Sequence, residues 1–157
     1  SSNGSNLPAY CWFNNDITNK NPFGALYNFY SLDTVYNGGK NVCPSGYHVP
    51  SYTEWNILIN FLGGTTLAGG LLKERGTSHW ITPNTGATND SGFTGLPGGR
   101  RGPSGTFAGS GSTGYYRSST ADIYPECYYV QLNSNNTNAS NTVWNNGIGM
   151  SVRCIRD

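Results

Sequence analysis

The 157-residue sequence is short of charge. Asp, Glu, Lys and Arg make up 11 % of it, against roughly 25 % in an ordinary soluble domain. Nine Lys and Arg nearly balance eight Asp and Glu, for a formal charge of +1. No basic stripe is present, and nucleic-acid affinity comes largely from such stripes on phosphates, so no nucleic-acid partner is expected. No apolar run approaches the ~20 residues of a membrane span. No signal peptide opens the chain, which reads as a mature or trimmed form. H-E-x-x-H, G-x-S-x-G and C-x-x-C are all missing, which argues against a zinc protease, an α/β-hydrolase and a thioredoxin-like or zinc-ribbon site. The few acidic residues are scattered, so a carboxylate pair for glycoside chemistry is unsupported. No catalytic residue, metal or cofactor is expected.

Neutral polar and aromatic residues fill the space that charge leaves. The chain holds 22 Gly, 20 Asn, 11 Tyr and 4 Trp. That aromatic content is too high for disorder. Scarce Lys, Glu and Ala beside abundant Tyr and Thr favour strands and long loops. Four cysteines stand at 11, 43, 127 and 154. Their even number and wide spacing suit an extracytoplasmic disulfide protein; four buried thiols are the alternative. Asn-x-Ser/Thr at Asn3, Asn89, Asn135 and Asn138 carries no weight in a chain this rich in Asn.

Residues 1–9 are small and polar, a flexible lead-in. Residues 24–32 alternate in a strand pattern dense in aromatics. Ser51-Tyr-Thr-Glu54 is a capping box. Trp55, Leu58, Ile59 and Leu62 follow on one helical face, and Gly63-Gly64 stops the helix. A shorter helix is expected at 68–75. Residues 82–114 are mostly Gly, Pro, Ser, Thr and Asn, with Phe93, Leu96 and Phe107 as anchors, and read as a long ordered loop. Strands are expected at 115–120, 127–132 and 149–156. The Asn-rich stretch before the last strand reads as a polar loop pinned by Val143 and Trp144.

Gly109-Ser-Gly-Ser-Thr-Gly114 matches G-x-G-x-x-G, but a strand pattern follows it where a dinucleotide site needs a helix. His48 leads into the capped helix, where its expected role is to satisfy the turn. Trp144-Asn145-Asn146 lacks the carboxylates that calcium prefers. What stands out is a C-terminal half crowded with Tyr, Ser, Asn, Gly, Trp and Arg, a composition similar to that of antibody paratopes.

A set of ordered blocks then carries a resemblance. Gly24-Ala-Leu-Tyr-Asn-Phe-Tyr30, Cys43-Pro-Ser-Gly-Tyr-His-Val-Pro-Ser51, Glu54-Trp55, Ala68-Gly69 with Leu72-Lys73, Trp80, Gly92-Phe93, Leu96-Pro-Gly-Gly99, Ser118-Ser-Thr120 and Ser151-Val-Arg-Cys154 together resemble the Fibrobacter succinogenes major paralogous domain, from Tyr10 to Asp157. Tyr47, where the family usually has Trp, and Arg117, at a position often aromatic, are mild departures. The resemblance implies an α+β domain over 10–157 of C-type lectin-like fold: two helices, a small antiparallel sheet and long ordered loops. It implies a Cys43–Cys154 bridge, since both lie in family blocks, and leaves Cys11 and Cys127 as the second pair. It implies an extracellular, cell-surface or phage location. Some members resemble the variable proteins of diversity-generating retroelements, and residues 100–146 have that look. The alternatives are an enzyme like the formylglycine-generating enzymes, which would need a free low-pKa thiol, and a structural surface-lipoprotein module.

The leading expectation is a domain that binds a protein or glycan receptor. Strand alternation turns Tyr116, Ser118, Tyr128, Val130 and Leu132 inward. It turns Tyr115, Arg117, Tyr129 and Gln131 outward as a binding patch, bordered by Ser104, Thr106, Thr113, Asp122, Ile123, Tyr124 and Glu126.

Overall fold

A computed structural model describes residues 6–157. Among them the dominant element is a mixed sheet of eight strands. In chain order the strands and helices are β1 (Tyr10–Cys11), α1 (Lys20–Phe23), β2 (Leu26–Tyr27), α2 (Thr34–Asn37), β3 (Tyr47–His48), α3 (Tyr52–Phe61) and α4 (Ala68–Leu72). The second half is all strand: β4 (Gly98–Arg101), β5 (Phe107–Ser110), β6 (Thr113–Ala121), β7 (Glu126–Asn133), β8 (Ala139–Asn145), β9 (Met150–Ser151) and β10 (Ile155–Arg156).

This overturns the expected C-type lectin-like plan of two helices, a small antiparallel sheet and long loops. Only α3 exceeds five residues among the α-helices. The error lies in segments read as loop from their composition. Gly98–Arg101 and Phe107–Ser110 form an antiparallel hairpin inside the 82–114 stretch. Ala139–Asn145, Asn-rich and expected as loop, pairs residue for residue with β7. Strand neighbours supply the hydrogen bonds that weak β formers do not predict. Conversely, the 24–32 strand shrinks to Leu26–Tyr27, and Phe29–Ser31 tighten into a 3₁₀ turn. Of the supposed lead-in, residues 7–9 are fastened: the Asn28 side chain donates to the Leu7 carbonyl at 2.8 Å and accepts from the Ala9 N–H at 3.0 Å.

β6 is the spine. One edge carries β7 in antiparallel register, Tyr116 opposite Val130. The other edge is shared in tandem, with β4 parallel at Gly114 and β9 parallel at Tyr116. β9 in turn pairs with β2, Leu26 opposite Ser151, so part of the expected last strand lies beside the early one. Ile155–Arg156 depart from it and pair with Tyr47–His48 in a separate two-stranded ribbon.

Both faces of this spine are covered. On one, α3 and α4 pack Trp55, Ile59 and Leu72 against Tyr116, Val130 and Leu132. The α3 start forms as its capping box requires: Ser51 Oγ accepts from the Glu54 N–H at 3.3 Å, and Glu54 Oε2 accepts from the Ser51 N–H at 2.8 Å. Helix α4 sits directly on backbone. A Cβ at Gly69 would fall 2.1 Å from the Asn138 carbonyl oxygen, so only glycine permits that approach. On the other face, Tyr115, Tyr129, Ile148 and Met150 form a second apolar cluster.

Lys73 ends α4 and is wholly buried. Its ammonium donates to the carbonyls of Thr85, Asn133 and Asn136 at 2.9, 2.9 and 2.8 Å, and lies 5.5 Å from the Trp80 ring centre. All three N–H donors are thus used. Desolvation pushes its pKa down to about 8, which leaves the ammonium the main form at pH 7. Replacing it by methionine would strand three carbonyls. Lys73→Met is expected to cost ~3–5 kcal/mol in urea denaturation at pH 7; a loss under ~1 kcal/mol would show that the three bonds are dispensable.

Candidate functional site

The expected outward patch divides on the structure. Thr113, Tyr115, Arg117, Tyr129 and Gln131 do share one face of β6 and β7. That face is not open at its centre. Tyr115 is 8 % exposed, Tyr129 5 % and Arg117 0 %. Ile148 and Met150 pack on Tyr115 and Tyr129, and the Arg100 side chain lies over Tyr115, so alternation separates two buried faces here rather than a dry one from a wet one. Tyr128, expected inward, is half-exposed and rests against Tyr52 of α3 at 4.3 Å between ring centres.

Arg117 is an interior strut. Its guanidinium donates to the Cys127 sulfur and to the Ile148 carbonyl. No carboxylate among the described residues pairs with it. Burial pushes its pKa down. It therefore cannot serve as a surface binding group, and the expectation that it would is corrected.

The bordering residues lie in two separate places. Ser104 and Thr106 are exposed on the β4–β5 turn, their hydroxyls 3.2 Å apart. Asp122, Ile123 and Tyr124 lie in the β6–β7 turn, and Glu126 opens β7. There Asp122 accepts from the Tyr128 hydroxyl at 3.0 Å, while Ile123 and Tyr124 stand out into solvent. Thr113 is buried, 3.3 Å from Asn133 Oδ1, and the Gln131 amide donates to the same oxygen at 2.9 Å.

What remains accessible on this face was missed from the sequence. Trp144 of β8 stands half-buried beside Tyr129 and Tyr115, with ring centres 5.9 and 6.3 Å apart. Arg100 of β4 lays its guanidinium 4.4 Å from the Trp144 ring centre and 6.0 Å from that of Tyr115. Ser140 and Thr142, opposite Gln131 and Tyr129, are exposed along the same face. The result is a cation-capped aromatic platform with a hydroxyl and amide rim. The sequence signal existed: Trp144 follows Thr142 and Ser140 at period two. Reading the segment as loop concealed it.

The titratable groups are committed elsewhere. His48 Nε2 meets Glu54 Oε1 at 2.8 Å, and Nδ1 meets Asp157 Oδ1 at 2.6 Å. Ser51 Oγ donates to Glu54, not to His48, so these groups do not form a Ser-His nucleophile pair. Asp157 and then Glu54 hold the His48 pKa above its usual value. Among the described residues no group of three His, Cys, Asp or Glu is placed to hold a metal, and no helix is long and apolar enough to cross a membrane.

The Cys43–Cys154 bridge is present, with Cα atoms 5.8 Å apart and a sequence separation of 111. The Cys11–Cys127 bridge is not; both are free thiols. Cys11 lies on β1 and Cys127 on β7, four strand positions apart in the order β1-β2-β9-β6-β7. That is ~19 Å along the sheet, against the roughly 7 Å limit for bridging Cα atoms. Desolvation raises the pKa of both thiols.

Two outcomes follow. Denatured, unreduced protein should titrate with two thiols, and folded protein should leave Cys127 unmodified; zero thiols on denaturation would restore the second bridge. By NMR, His48 should titrate above ~6.5, the unperturbed value. Its raised folded pKa means the stabilising contact is full below the unfolded pKa and is lost as pH rises through the folded one. Asp157→Asn should bring that pKa back down, and an unchanged midpoint would show that the 2.6 Å contact is not made in solution.

No solved structure and no curated protein matches the chain at significance. The model of the Fibrobacter succinogenes major domain matches residues 2–156. The sequence blocks that frame the bridge, the capped helix and the buried Lys73 thus lie inside one match that spans nearly the whole chain, which belongs to the Fibrobacter succinogenes major domain family.

Proposed function

We propose that this domain is a non-catalytic, extracytoplasmic binding module that engages a protein or glycan receptor. The observation that carries the reading is the half-buried Trp144 ring, capped by Arg100, seated on the buried Tyr115 and Tyr129 and rimmed by Gln131, Ser140 and Thr142. An aromatic ring held by a strand and backed by buried rings offers contact area at little entropic cost, and small hydroxyl and amide groups adapt around it. The Cys43–Cys154 bridge supports an oxidising compartment, on a cell surface or a phage particle. Raised thiol pKa values at Cys11 and Cys127 weigh against a cysteine-dependent enzyme.

We further propose that residues 100–146 form the diversified segment of a retroelement variable protein. In support, Tyr116, Ser118 and Leu132 of that segment are buried, whereas Ser104, Thr106, Ser140 and Thr142 are exposed. A search of the neighbouring DNA for a reverse transcriptase and a near-copy of these codons tests this; their absence would remove it.

Binding is tested on arrays of immobilised glycans and surface proteins. Ser140→Trp and Thr142→Arg alter the rim at exposed positions. Each should weaken a wild-type interaction at least tenfold, about 1.4 kcal/mol, with the melting temperature unchanged. Interactions that survive both changes would place binding elsewhere. Tyr129→Ala, by contrast, should cost ~3 kcal/mol of stability because that ring is core.

A further inference from the structure

On the helical side of the molecule, away from the aromatic platform, a cleft of about 620 Å³ opens between α3 and residues 153–155. That volume lies within the ~300–1,000 Å³ range of small-molecule sites. Trp55, Leu58, Phe61, Phe93 and Ile155 line it. Phe61 is 84 % exposed and its neighbour Ile57 63 %, a solvent contact of large apolar groups that the fold itself does not require.

The polar groups in the lining are unequal. Glu54 is already spent: one oxygen serves Ser51 and the other His48. Arg153 is not. It stacks 5.1 Å from the Phe93 ring centre and donates one Nη2 bond to the Thr94 carbonyl at 2.9 Å. No carboxylate among the described residues pairs with it. Its remaining N–H donors form the fork that matches a carboxylate. The Trp55 indole N–H, buried behind the same lining, has no acceptor.

We propose that this cleft binds a small amphipathic carboxylic acid, with its apolar body along α3 and its carboxylate on Arg153. An apolar trough beside one guanidinium that no carboxylate answers selects against neutral and cationic amphiphiles of the same length. A neutral head would leave the cation unanswered, and a cationic head would be repelled.

The test is calorimetric titration with decanoate, decanol and decyltrimethylammonium below their micelle concentrations, with backbone amide shifts followed by NMR. Decanoate should bind at least tenfold more tightly than decanol, and decyltrimethylammonium more weakly than either. Shifts should centre on Leu58, Phe61 and Arg153. Arg153→Gln should erase the decanoate advantage and leave decanol binding as it was. Leu58→Trp, which fills the cleft, should weaken both. Equal affinity for decanoate and decanol in the wild type, absence of binding, or shifts confined to other surfaces would each overturn the proposal. So would sedimentation showing a dimer that buries Phe61. None of these outcomes bears on the platform across the sheet, whose rim variants should bind decanoate normally.

Discussion

A single buried ammonium ties together two stretches of the molecule that carry little regular structure. Lys73 binds three carbonyls from two separate stretches, the loop after Trp80 and the β7–β8 turn. Those stretches are rich in Asn, Thr and Gly and bring few apolar side chains of their own. Burying a charge is costly unless its hydrogen bonds are met, and here each N–H has one acceptor. Satisfied this way, the charge fixes both segments to the end of α4. The glycine contact of α4 with Asn138 then follows, because the helix can lie on the turn only where no Cβ intervenes. Through Ala139 the same turn sets the start of β8 against β7.

The sequence made visible what depends on nearest neighbours in the chain. The capping box, the apolar face of α3 and the existence of strand β7 appear where their residues predict them. The Cys43–Cys154 bridge was readable only through the family blocks. What stayed hidden depends on distant partners. Gly98–Arg101 becomes strand because β5 and β6 flank it, and nothing in Gly-Gly-Arg-Arg announces that. Arg117 looks like a surface residue by type, yet Cys127 and the Ile148 carbonyl draw it inward. The odd-numbered face of β7 carries Cys127 and Tyr129, both able to be buried, and treating them as solvent-facing was an assumption about layers rather than about residues. A strand apolar on both faces reads as fully buried, and that rule fits β7 better.

The two surfaces described above differ in kind. The sheet-side platform is rigid, aromatic and rimmed by hydroxyls, with its cation already stacked on a ring. The helix-side cleft is apolar and holds a cation with donors to spare. The former suits broad, polar partners met at a surface. The latter suits enclosure of a small molecule. The disulfide lines the cleft through Cys154, so it also holds the 153–155 wall in place while α3 provides the other.

The tandem sharing of the β6 edge has a consequence for synthesis. Strand β2 is complete by Tyr27, yet its inner partner is Ser151, and the first bridge cysteine waits for one 111 residues later. Neither closure can form until the chain has left the ribosome or crossed a translocation pore as far as Ser151 and Cys154. Such long loops are slow to close. Until then the inner edge of β2 must be carried unpaired, beside Leu26, Phe29 and Tyr30 destined for the interior, with only β1 available on its outer edge. The sparse charge of the sequence gives it little electrostatic self-repulsion during that interval.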